Sequence, residues 1–91
     1  PRYFRSGELN IKMNYELGIK NYEYLLKQIE NKYKNRAIKI SRIDGLSIEF
    51  GDFWFNIRPS NTEPLARLNI EAIDKKTLAK QTKILLGLLR K

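Results

Sequence analysis

The sequence predicts an α+β domain of two layers: an antiparallel sheet of four to five strands with two helices packed on one face. Three observations carry this. Apolar and polar residues alternate, the period of a half-buried strand, over 8–13, 37–42, 46–57 and 65–73. Apolar stripes of helical period run through 18–34 and again through 75–89. Neither helix can bury its stripe alone, and each strand has one apolar face. Stacking both helices on one side of the sheet is the economical solution.

The first strand begins at Glu8, with Leu9, Ile11 and Met13 pointing one way and Asn10 and Lys12 the other. The first helix carries Ile19, Tyr22, Leu26, Ile29 and Tyr33 on one stripe. Glu16–Lys20, Glu23–Lys27 and Glu30–Lys34 are Glu-then-Lys pairs four apart, the favourable order on a helix. The helix is expected to stop near Lys34-Asn35, where Asn can take a left-handed cap. Ala37 to Arg42 reads as a short strand, followed by the Asp44-Gly45 turn. Leu46, Ile48 and Phe50 form the next apolar face. Gly51-Asp52 is a two-residue hairpin signal leading to a return strand over 53–57. Arg58 to Pro64 follows as a tight non-strand segment, since its two prolines exclude a helix interior and a central strand. In the next strand Leu68, Ile70 and Ala72 oppose Arg67, Asn69 and Glu71. Asp74 is placed to cap a last helix from Lys75 to Leu89, with Leu78, Thr82, Leu85 and Leu89 on its stripe.

Composition bounds the function. A chain of 91 residues buries roughly 60–65% of its unfolded surface, enough for a core but not for a large internal active site. Cys and His are both absent. That excludes disulfides and thiolate chemistry, removes the commonest general base and metal ligand, and argues against an autonomous enzyme. The lack of Cys fits a cytoplasmic setting. No apolar run approaches the roughly 20 residues of a membrane span, so no membrane partner is expected. The chain opens at Pro1 with a polar segment, which reads as a piece of a longer protein: 1–7 an interdomain linker, 8–91 the domain. The net charge of +8 fits nucleic acid, an anionic membrane, phosphorylated ligands or mere solubility. Its excess is spread, +5 over residues 1–45 and +3 over 46–91, with no dense patch.

The informative segment is Arg58-Pro59-Ser60-Asn61-Thr62-Glu63-Pro64. Arg58 offers a planar fork that matches two phosphate oxygens. Ser60, Asn61 and Thr62 offer neutral donors, and consecutive backbone N–H groups in a turn can form an anion nest. The prolines lower the entropy lost in ordering the turn. Pro, Ser and Asn are also ordinary turn formers, so chemistry alone leaves the loop open between a phosphate cradle and a plain turn. Glu63 and Asp52 read as solvated or turn-shaping.

The ordered pattern Asp44 to Ala72, DGLSIEFGDFWFNI-RPSNTEP-LARLNIEA, resembles the C-terminal domain of the α-D-phosphohexomutases, the phosphomannomutase/phosphoglucomutase superfamily. The opening YFRSGELN (Tyr3 to Asn10) is similar to the passage from the third domain of these enzymes into the fourth. The resemblance covers essentially the whole chain. It implies a TATA-box-binding-protein-like fourth domain whose loop grips a substrate phosphate, with Arg58, Ser60, Asn61 and Thr62 as ligands. Glu63 completes the motif. Arg67 also recurs, either adding positive potential or standing as an exposed strand residue. Asn61 resembles the phosphomannomutase/phosphoglucomutase branch, since phosphoglucosamine mutases carry Gly there. The run Phe53-Trp54-Phe55 is more aromatic than usual, and the last helix lacks an acidic residue.

What the resemblance implies is an isomerase that moves phosphate between the 6- and 1-hydroxyls of mannose or glucose through a bisphosphate, with Mg²⁺ and a phosphoserine supplied by the three other domains. This chain would bind no metal or cofactor, contribute no catalytic residue and be inactive alone. It would close over substrate about Ser6-Gly7. The competing reading is a small basic nucleic-acid-binding module, with Trp54 as a stacking platform and Lys75, Lys76, Lys80 and Lys83 as a backbone-binding stripe. The aromatic spacing does not match the ribonucleoprotein motif.

Overall fold

In the computed structural model, residues 3–12, 18–60 and 65–89 are described, the side chains of 18–21 excepted. The elements are β1 (Phe4–Arg5), β2 (Leu9–Lys12), α1 (Gly18–Tyr33), β3 (Lys39–Ser41), β4 (Leu46–Glu49), β5 (Phe53–Pro59), β6 (Leu65–Ala72) and α2 (Lys75–Leu89). All pairings are antiparallel, in the order β1, β6, β5, β4, β3. β2 also lies along β6, facing Leu65 to Leu68, while β1 faces Glu71 and Ala72. One sheet edge is therefore built from two short strands joined across Ser6-Gly7.

The core follows the alternation. Leu46, Ile48, Phe55, Ile57, Ala66, Leu68, Ile70 and Ala72 are buried on the face that receives Leu26, Ile29 and Tyr33 of α1 and Leu85 and Leu89 of α2. Both helices thus cover one face. Tyr33 packs edge-on to Phe50 and Phe55 at 5.3 and 5.4 Å between ring centroids, a preferred aromatic geometry. Its hydroxyl donates to buried Gln81 Oε1 at 3.3 Å. This contact ties α1 to α2. The opposite face of the sheet carries Ser47, Trp54, Asn56, Arg58, Arg67, Asn69 and Glu71, all half-buried.

Several expectations hold. The Phe50 N–H bonds to the Phe53 carbonyl at 2.8 Å across Gly51-Asp52, a two-residue turn. Asp74 Oδ1 accepts the Thr77 N–H at 2.6 Å, an N-cap on α2. Others are corrected. The sheet has six strand segments instead of four or five. β5 continues through Arg58 and Pro59. Proline is tolerated there because the last β4 partner on β5 is Ile57, so no neighbour needs the missing N–H. Asn35 takes no left-handed cap, since no described residue other than glycine has positive φ. Instead the Tyr33 carbonyl accepts both the Arg36 and Ala37 N–H groups. Glu23 and Glu30 pair with Arg42, at 3.7 and 3.3 Å, rather than with Lys27 and Lys34. A tertiary guanidinium reaching both carboxylates outcompetes two weak exposed helix pairs. Gln81, not Thr82, is the polar residue buried on α2. Met13, Glu16, Ile19 and Lys20 lie outside the described side chains. Among the described residues no helix is long and apolar enough to cross a membrane.

Candidate functional site

β5 and β6 form the central hairpin. The Ser60 N–H bonds to the Leu65 carbonyl at 2.9 Å and closes its neck. Asn61, Thr62, Glu63 and Pro64 fall outside the described residues. Ser60 is half-buried at the neck.

Arg58 is one residue inside the neck, on the open face. It sits directly opposite Arg67 in the β5–β6 register. Like charges facing each other across a ladder repel. No acidic side chain among the described residues pairs with Arg67, and Glu71 is taken by Arg5 at 2.6 Å. The Arg58 Nη1 donates to Asp44 Oδ2 at 3.2 Å. Its Nε is buried and has no acceptor, an expensive state for a charged donor. Two arginines thus face each other at the mouth of a tight hairpin, with one described carboxylate, Asp44, on Arg58.

The surroundings are polar. Asp44, Ser47, Trp54, Asn56, Arg58, Asn69 and Glu71, with Arg5 and Gly7, line an open basin of about 580 Å³. The Asn56 side-chain amide donates to the Asp44 carbonyl and to Ser47 Oγ, both at 2.9 Å. Of the residues singled out in the sequence, Arg58 and Arg67 come together and Ser60 stands beside them. Asp44 and Asn56 were missed as site residues. The signal was present in the two hairpin lengths: counting back through Gly51-Asp52 puts Gly45 opposite Arg58.

Trp54 and the lysines of α2 do not share a surface. Trp54 is on the open face, whereas Lys75, Lys76, Lys80 and Lys83 are exposed on the helix that covers the other face. A strand of nucleic acid could not use both at once. Among the described residues no three His, Cys, Asp or Glu side chains converge as metal ligands.

Comparison with known proteins bears on the family and the fold. The family profile described as "Phosphoglucomutase/phosphomannomutase, C-terminal domain" matches residues 8–86. A phosphomannomutase of Methanocaldococcus jannaschii is 40% identical over 90 residues, covering 99% of this chain and 18% of that protein. A phosphomannomutase of Escherichia coli K12 is 38% identical over 85 residues, covering 92% of this chain and 17% of that protein. The crystal structure of a phosphoglucomutase/phosphomannomutase family protein from Burkholderia thailandensis superposes with a TM-score of 0.68 at 25% identity. It covers 99% of this chain and 18% of that one. The chain therefore spans less than a fifth of the length of these relatives. Sequence profile, relatives and fold converge: the chain belongs to the phosphoglucomutase/phosphomannomutase C-terminal domain family.

Proposed function

We propose that this domain is the phosphate-gripping part of a longer phosphomannomutase/phosphoglucomutase, an intramolecular phosphotransferase interconverting hexose 6-phosphate and hexose 1-phosphate. The observation that carries this is the buried, acceptor-less Nε of Arg58 beside Arg67 at the neck of the Ser60–Leu65 hairpin. A phosphate supplies several acceptor oxygens and the opposite charge, answering both the unused donor and the Arg–Arg repulsion. Asn61 and Thr62 are the further ligands in this reading, on the loop pattern and the family resemblance, with Glu63 and Pro64 completing the motif.

The role follows from the reaction. A mutase acting at both ends of one sugar must present each hydroxyl in turn to the same phosphoryl donor. Whichever phosphate is not reacting has to be held in either orientation. A grip of one fork and neutral donors binds a phosphate without reading the sugar ring. Its binding energy is remote from the reacting centre and serves positioning. In this reading Mg²⁺ and the phosphoserine belong to the other domains of the longer enzyme. The partners in this reading are mannose or glucose phosphates and the rest of the same enzyme, in the cytoplasm.

The test is an amide-resolved NMR titration of the chain with inorganic phosphate and mannose 1-phosphate. Shifts should cluster at 58–63 and at Arg67. Arg58→Ala should erase them and, in the longer mutase, reduce kcat/KM by about 2–4 kcal/mol, mainly through KM. An unchanged kcat/KM would sink the role. Shifts on the lysine face of α2 with RNA would instead favour nucleic acid.

A further inference from the structure

The geometry points to Asp44 as a positioning residue for Arg58: its carboxylate holds one corner of the guanidinium and so keeps the side chain in place at the hairpin neck. The inference rests on the phosphate-binding reading above, and it adds a residue outside the loop.

The turn that carries Asp44 is fastened to the end of β5 at three points. The carboxylate meets Arg58 Nη1 at 3.2 Å. The Asp44 carbonyl accepts from the Asn56 amide at 2.9 Å. Gly45, at φ +72, passes so close that a Cβ would clash with the Ile57 carbonyl oxygen and lie 2.8 and 2.9 Å from Arg58 Cβ and Cα. Only glycine allows this approach. The close approach therefore fixes where the Asp44 side chain can reach.

A guanidinium offers separate edges to separate acceptors. Asp44 occupies Nη1, and the buried Nε remains without an acceptor. The guanidinium is thus held at one corner, where its Nη1 meets Asp44. Without Asp44, Arg58 would face Arg67 across the ladder with nothing to counter the repulsion. A long, multiply rotatable side chain would then swing away from that register. An opposing effect exists, because a carboxylate near a phosphate repels it. Asp44 is 72% exposed, so water and salt screen that repulsion strongly. Ordering of the fork therefore outweighs it, although an exposed ion pair sets only a modest scale of effect.

The experiment compares phosphate affinity of the 91-residue chain with Asp44→Asn, Asp44→Ser and Arg58→Ala, all by NMR titration with inorganic phosphate. Asn and Ser both suit the turn, so at least one folded variant is available, verified by unchanged amide spectra away from 42–47 and 56–60. Asp52→Asn is the control. It removes the same charge at the other end of β4 and β5, where any long-range gain in positive potential acts alone. Both Asp44 variants should bind phosphate about two- to fivefold more weakly, and the Arg58 Nε–Hε signal should broaden or shift before ligand is added. Asp52→Asn should bind as well as the parent or slightly better. Equal or tighter binding by the folded Asp44 variants, or an unmoved Nε–Hε signal, would overturn the proposal. If Arg58→Ala also binds phosphate normally, the phosphate-binding reading itself has failed. If only Arg58→Ala loses affinity, that reading stands and the role of Asp44 falls.

Discussion

Arg58 shows how little of a site needs to be unusual. Its fork is ordinary chemistry, but its place one residue inside a hairpin neck leaves a buried Nε without an acceptor. Gly45 sets that place as firmly as the arginine does. Gly45→Ala would require a Cβ at positive φ against the end of β5. We expect it to destabilise the fold by roughly 2–3 kcal/mol in urea unfolding and to weaken phosphate binding in the molecules that remain folded. Arg58 and Ser60 were legible in the sequence because loop chemistry is local: a fork, hydroxyls and prolines within seven positions. Asp44 was not, because its role depends on the register of two successive hairpins.

The elements themselves were largely readable. Strand alternation in β4, β5 and β6 predicted which side chains are buried, since the period of two leaves no third option once one face is apolar. Their ends were harder. Pro59 was read as terminating a strand, yet it extends one where β4 has already stopped pairing. Arg42 was invisible as a tertiary clamp for Glu23 and Glu30, because sequence spacing reveals only partners within a helix. The start of α2 makes a pH-dependent prediction. Hydrogen bonds from Thr77, backbone first and then side chain, hold the Asp74 carboxyl below its ordinary value of 3.8. A depressed carboxylate contributes stability that is full at neutral pH and drains away as the pH falls through its folded value. Asp74→Asn keeps a capping side chain but removes the titration. Thermal melts should therefore show less loss of stability between neutral pH and about pH 3 for the variant than for the parent.

At the scale of the molecule, the sheet separates two tasks. One face is sealed by both helices, and the other is open and polar, with Arg58 and Arg67 at one end. Among the described residues the basic side chains are divided between these faces, Arg58 and Arg67 on the open one and the lysines of α2 on the other. This is why composition alone left nucleic acid open and the fold argues against it. The open face carries Arg58 and Arg67 but no converging metal ligands among the described residues. We expect the isolated chain to fold cooperatively and to show no conversion of mannose 1-phosphate to mannose 6-phosphate. Measurable turnover in a coupled assay with this chain alone would refute the assignment of catalysis to other domains. The structure does not favour the expected hinge at Ser6-Gly7: β1 and β2 on either side of it both pair with β6, and Ser6 is bonded to Ile70 through both its backbone N–H and its Oγ, at 2.9 and 3.0 Å.

The single file of β5 imposes a counting rule on how this domain can change over time. Phe53, Phe55 and Ile57 go inward while Trp54, Asn56 and Arg58 go outward. One residue gained or lost between the Gly51-Asp52 turn and Arg58 would swap these sets. It would drive a guanidinium between Leu46 and Leu68 and expose three apolar side chains. A change of two residues would preserve the faces but slide Arg58 away from Gly45, against which the end of β5 is closely fitted. Substitutions on the open face leave the count intact. Divergence in this stretch is therefore channelled into residue identity and barred from length.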